Sequence, residues 1–201
     1  MRHLAAAALL LLGTAGGVHA AGDPVAGEAK AAACAGCHGA DGNSVNPIWP
    51  NLAGQGADYI AKQVMDFKAG ARQDPLMSGM AMAVQDADLP DVAAFYASKA
   101  LNPVTPEKPE LVEQGQAIYE AGIAAKGVTA CAACHGPNAN GNLPAKFPAL
   151  RSQHAAYTIK QLQAFRDGAR ANDPNQMMRG VAALLSEQEI EALAMYLATQ
   201  H

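Results

Sequence analysis

The chain has 201 residues, half of them hydrophobic but only 5% aromatic and 16% charged, with a formal net charge of −4. That length allows one or two ordinary domains. The composition is too apolar for a disordered chain, and the only long apolar run lies at the N-terminus, which excludes a multi-span membrane protein. With so few rings to fill a core, some other apolar body is expected there.

In chain order, Arg2 and His3 precede an apolar run from Leu4 to Leu12, which leads through Gly16 and Gly17 to the small-residue cleavage pattern Val18-His19-Ala20. Residues 1–20 therefore read as a secretory signal peptide cut before Ala21. A retained membrane anchor is the weaker alternative, because the apolar core is about half the roughly 20 residues a span requires. The mature chain, 21–201, carries 13 Lys and Arg against 18 Asp and Glu, the wrong sign for a nucleic-acid partner.

Cys34-Ala35-Gly36-Cys37-His38 comes next and recurs as Cys131-Ala132-Ala133-Cys134-His135. The repetition continues far beyond these residues. Trp49-Pro50-Asn51-Leu52 matches Phe147-Pro148-Ala149-Leu150, Tyr59 matches Tyr157, and Lys62-Gln63 matches Lys160-Gln161. The segment from Phe67 to Arg72 matches that from Phe165 to Arg170. Ile60, Val64 and Phe67, like Thr158, Leu162 and Phe165, have helical spacing, and Gly70 and Gly168 are placed to end those helices. Leu89, Val92, Ala93 and Tyr96 match Ile190, Leu193, Ala194 and Leu197 in a terminal helix of each copy, with Pro90 near the start of the first and the capping box Ser186-Glu187-Gln188-Glu189 opening the second. Between the copies, Leu101 to Pro109 contains three prolines and reads as a stiff linker. The expected organisation is a signal peptide at 1–20, an N-terminal domain at 21–100, a linker at 101–109 and a C-terminal domain at 110–201.

Two cysteines three apart and a histidine four from the first share one side of a helical turn. Both thiols can then add to the two vinyl groups of one haem while the imidazole binds its iron from below, the standard reading of this pentapeptide. Zinc would require further Cys or His ligands in each copy, a thiol redox pair would not require the histidine, and a Cys34–Cys37 disulfide would strain a short loop. Two covalent haem c groups are therefore expected, attached through Cys34 and Cys37 and through Cys131 and Cys134, with His38 and His135 as axial ligands. The porphyrins supply the missing apolar core.

A methionine on the opposite side of iron gives a closed electron-transfer centre, and an open position invites small ligands. Aligned back from the terminal helices, Met77 falls opposite Met178, and both follow Asp-Pro turns. They are the expected sixth ligands, with Met80 and Met177 as the alternatives should the alignment slip across its gap. Pro50 and Pro148 either shape plain turns or present a carbonyl to the ligand imidazole. Tyr59 and Tyr157 line the haem or belong to the core, as do Trp49 and Phe147. Lys62, Lys68 and Arg72, with Lys160, Arg166 and Arg170, face haem propionates, a domain interface or solvent. His154 has glycine as its counterpart, Gly56, and is expected in a surface or interdomain contact.

The Cys-x-x-Cys-His-Gly motifs, Asp41-Gly42-Asn43-Ser44, Leu52-Ala53-Gly54-Gln55, Lys62-Gln63 and Met177-Met178-Arg179-Gly180-Val181-Ala182 give the whole mature chain a resemblance to the dihaem cytochrome c4 family. The resemblance implies an all-α fold of two tandem class I cytochrome c domains, each around one covalently bound haem c with His and Met ligands, facing each other in the periplasm. Met77 and Met178 match the family's ligand positions. It further implies no enzymatic activity but one-electron transfer between redox proteins, from a membrane quinol-oxidising complex or a periplasmic donor toward a terminal oxidase, with peripheral membrane association in some members. The alternative is the dihaem electron-transfer subunit of a periplasmic dehydrogenase or flavocytochrome. A dihaem peroxidase would require an open iron and a longer chain. Residues 21–100 carry a net charge of −4 and residues 101–201 a net charge of −1, so the lower potential is expected at the N-terminal haem.

Overall fold

The computed structural model describes residues 22–201, so the signal-peptide reading of 1–20 lies outside the described residues. The chain is all-α: only two isolated β-bridges, Ile123 with Val128 and Asn142 with Phe147, occur among the described residues. The first five helices are α1 (Pro24–Lys30), α2 (Ala32–His38), α3 (Ala57–Lys68), α4 (Met77–Met82) and α5 (Leu89–Ala97). They pack on one another, and α6 (Val112–Ala121), α7 (Ala132–His135), α8 (Ala155–Arg166), α9 (Met177–Ala182) and α10 (Glu187–Thr199) do likewise. Residues 101–108 between them have no regular structure, and a 3₁₀ turn at Pro109–Leu111 leads into α6.

Local sequence accounts for the helix ends. Asp23 caps α1 by accepting from Val25 N, followed by Pro24 in the first turn, where a missing N–H costs nothing. The Ser186 capping box opens α10 in both directions. Gly70 and Gly168 follow α3 and α8 in left-handed conformation, as expected from their positions in the sequence.

Each domain is closed by a crossing of its first and last helices. At Gly27 an added Cβ would stand 2.1 Å from the Asp91 carbonyl oxygen of α5, and at Gly115 it would stand 2.0 Å from the Ala192 carbonyl oxygen of α10. Only glycine permits these backbone approaches. Around the crossings lie the two cores. The first gathers Ala31, Ile60, Val92, Phe95 and Tyr96; the second gathers Ile118, Tyr119, Val128, Ile190, Leu193 and Leu197. Phe95 meets Tyr96 edge-on at 5.0 Å.

The two domains meet across an approximate two-fold axis, and the equivalences are those of the internal repeat. Gln55 donates to Ala149 O and accepts from Ala149 N, both at 2.9 Å; its counterpart Gln153 donates to Asn51 O at 3.0 Å and accepts from Asn51 N at 2.9 Å. Arg72 donates to Tyr157 Oη, and Arg170 donates to Tyr59 Oη. The axis is not exact. Lys62 pairs with Asp66 and also donates to Asn172 O, whereas Lys160 pairs with Asp74, and Ala164 occupies the position equivalent to Asp66.

Two candidate haem sites

Both Cys-x-x-Cys-His motifs lie on a helical turn, and their histidines are the last residues of α2 and α7. Each helix stops because the next residue has positive φ: Gly39 at 81° and Gly136 at 80°. At Gly39 a Cβ would also fall 2.3 Å from Asn43 O, so the residue after His38 has to be glycine. The stop turns the chain away and leaves each imidazole pointing into its domain, where both are buried.

His38 Nδ1 donates to Pro50 O at 2.8 Å and His135 Nδ1 donates to Pro148 O at 2.9 Å. A carbonyl can only accept, so the proton sits on Nδ1 and the lone pair is on Nε2, the tautomer that can bind a metal. Burial lowers the pKa of both imidazoles, against the opposing effect of the proline carbonyls, and so favours the neutral form a ligand requires. Of the two roles the sequence left open for Pro50 and Pro148, the carbonyl-presenting one is what the structure contains.

None of the four cysteines is paired in a disulfide. Burial raises the Cys34 thiol and pushes Cys131 up to about 11, the opposite of the depressed first thiol of a redox pair. Among the described residues, no three His, Cys, Asp or Glu side chains are gathered to hold a metal ion alone. Tyr96 Oη, beside Cys34, is buried without a hydrogen-bond partner. Tyr119 Oη, in the second domain, donates to Gly136 O at 2.5 Å, next to His135. Paired free thiols, a buried Nδ1–H imidazole and a polar atom left without a partner beside one thiol form a donor set that suits covalent haem.

Met77 begins α4 and Met178 is the second residue of α9. Both are half-buried, while Met80 and Met177 are 38% and 39% exposed. Asp74 accepts from Met77 N at 3.1 Å and so helps to hold the start of α4. In the second domain Asp173 accepts from Arg179 N and Nε across the turn before α9.

The remaining candidates separate cleanly. Tyr59, Tyr157, Arg72 and Arg170 belong to the domain interface. His154 donates through Nε2 to Ser44 O at 2.9 Å, the interdomain contact expected of it. Lys68 and Arg166 instead pair within their own domains, with Asp86 and Glu187. Phe147 lies 6.2 Å from the His135 ring. Sequence reasoning missed Gln55 and Gln153 as interface clamps; their equivalence within the repeat was the available signal.

Two helical domains, each presenting a haem-attachment turn, define a c-type cytochrome with two haem c groups. The family model for cytochrome c matches residues 25–98 and 112–201. Cytochrome c4 of Azotobacter vinelandii is 47% identical over 203 residues, covering 96% of each chain. The crystal structure of reduced recombinant cytochrome c4 from Pseudomonas stutzeri superposes with a TM-score of 0.86 at 46% identity, covering 90% of this chain and all of that one. A more distant relative, the thiosulfate dehydrogenase electron acceptor of Stutzerimonas stutzeri, is 40% identical over 171 residues, covering 84% of this chain and 79% of its own. The chain belongs to the cytochrome c4 family and is a dihaem electron carrier, not an enzyme.

Proposed function

We propose that Cys34 and Cys37 hold one haem in thioether linkage, with His38 and Met77 as axial ligands, and that Cys131 and Cys134 hold the other, with His135 and Met178. The observation that carries this reading is the duplicated proximal arrangement: at both sites a buried imidazole donates through Nδ1 to a proline carbonyl, leaving Nε2 for iron. When bound, each haem supplies a one-electron ferrous–ferric couple. The proline carbonyls orient the imidazoles and make them stronger donors. The half-buried Met77 and Met178 would supply the second protein ligand to each iron and so exclude outside ligands.

In the same reading, residues 1–20 direct export to the periplasm, residues 21–100 and 110–201 are the two carrier domains, and residues 101–109 link them. The carrier takes electrons from a membrane quinol-oxidising complex or a periplasmic donor and passes them toward a terminal oxidase. No helix among the described residues is long and apolar enough to cross a membrane, so attachment to the membrane would be peripheral or through segments outside that range. Intact-mass and absorption measurements on the exported protein test the assignment. Two haem increments on a chain starting at Ala21 are expected, with the weak red charge-transfer band of methionine ligation; one increment or none would overturn it.

A second reading is favoured by the 40% identity to an electron acceptor of thiosulfate dehydrogenase. Here the same chemistry serves a periplasmic dehydrogenase directly, and a dehydrogenase that co-purifies with the chain and reduces it would distinguish this case.

A further inference from the structure

The interdomain glutamine clamps grip the peptide units that carry the proximal carbonyls. The Pro50 carbonyl and the Asn51 N–H belong to one peptide group: its oxygen accepts from His38 Nδ1 at 2.8 Å while its N–H donates to Gln153 Oε1 of the other domain at 2.9 Å. The Pro148 carbonyl and Ala149 N–H repeat this, accepting from His135 Nδ1 at 2.9 Å and donating to Gln55 Oε1 at 2.9 Å. Chemistry settles how each glutamine amide is turned, since the backbone N–H requires its oxygen and the backbone carbonyl of the same residue requires its nitrogen. Each Oε1 also accepts from the backbone N–H of the residue after the glutamine, Gly56 or His154, at 3.0 Å, which fixes the clamp in place.

We propose that each domain tunes the proximal histidine of the other through a single peptide unit, with Gln55 acting on His135 and Gln153 acting on His38. The physical basis is amide polarisation. A hydrogen bond accepted from the N–H shifts electron density toward the carbonyl oxygen of the same peptide and strengthens what that oxygen accepts, by about 10–30% per bond. A stronger Nδ1–H bond makes the imidazole a better donor and favours ferric iron. Loss of a clamp therefore raises the reduction potential in the opposite domain. Gln55 and Gln153 are positioning residues, and their role rests on the reading of His38 and His135 as iron ligands.

The test is Gln55→Met and Gln153→Met in the full-length holoprotein, with potentials resolved for each haem and Nδ1–H resonances followed in the reduced state. Gln55→Met is expected to raise the C-terminal potential, shifting its reduction equilibrium on the order of threefold, or about 30 mV at 59 mV per tenfold. It should also move the His135 Nδ1–H resonance upfield, with the N-terminal site much less affected; Gln153→Met should do the reverse. Gln55→Glu keeps an acceptor for Ala149 N but loses the donor to Ala149 O, so it loosens the clamp yet is expected to restore the His135 resonance, which separates tuning from simple loosening of the interface. Shifts confined to the domain bearing the substitution, or equal in both, would overturn the proposal while leaving the ligand assignment intact. Absence of hyperfine-shifted His38 and His135 ring protons in the unsubstituted oxidised protein would overturn both.

Discussion

Arg72 and Arg170, one from each domain, donate to the same oxygen, Gln63 Oε1, at 2.8 and 3.0 Å. They also share Gln161 Oε1, at 2.8 Å each. Both guanidiniums are buried, stacked on Phe67 and Phe165, and hydrogen-bonded only to neutral side chains. Tyr157 records their field. Burial alone would raise its phenol, yet Arg72 and Arg170 bring it below the ordinary tyrosine range.

Arg72→Ala would take the donor from Tyr157 Oη and open the space over Phe67, while Gln63 and Gln161 would keep Arg170. The expected cost is about 2 kcal/mol, from one buried hydroxyl left without its partner and the lost packing on Phe67. Denaturant unfolding measures it, and the two domains should begin to unfold separately.

Gly27→Ala and Gly115→Ala test the helix crossings. Alanine is the better helix former by up to about 1 kcal/mol, but here its methyl would enter a backbone carbonyl of the facing helix. Overpacking costs about 1–3 kcal/mol, so both substitutions are expected to lower the thermal midpoint, each through its own domain.

Met77→Ala and Met178→Ala should each open one iron. The oxidised holoprotein is then expected to lose about half of its red charge-transfer absorbance and bind cyanide rapidly at one haem per chain. Met80→Leu and Met177→Leu should leave the band unchanged.

The Asp91 carboxylate accepts from Lys30 at 2.5 Å and from Asp23 N at 2.7 Å, joining α1 to α5. The lysine first, and then the backbone N–H, hold its carboxyl below the usual range. Because the folded value is depressed, the contribution is complete above the unfolded value of about 3.9 and is lost as pH falls through the lower folded value. The difference in thermal midpoint between the parent and Asp91→Asn should be steady from about pH 7 to 5 and shrink below about pH 4.

The charge split between the halves, −4 over residues 21–100 and −1 over 101–201, favours ferric iron more in the N-terminal domain. A resolved potentiometric titration is expected to give the lower potential there.

Features carried by contiguous residues were legible in advance: the haem turns, the Ser186 box, the glycines after α3 and α8, and the matched prolines. Helices α1 and α6 were not, because their role depends on one glycine meeting a carbonyl far along the chain. The same is true of the interface. Periodicity shows which face of α3 is apolar, but Arg72 and Gln63 find their partners across the two-fold axis. The repeat made Tyr59 equivalent to Tyr157 without indicating that each would meet the other domain's arginine.

The departure from symmetry at Lys62 and Lys160 has a consequence for how such a chain can diverge. In a dimer of separate identical subunits, every substitution at the contact appears twice and must suit both sides at once. Joined in one polypeptide, the halves vary singly, so Lys62 can pair with Asp66 of its own domain on one flank while, with Ala164 in place of that acid, Lys160 pairs with Asp74 of the other domain. Fusion therefore makes accessible two unlike electron sites that a symmetric assembly of one short gene product could not encode.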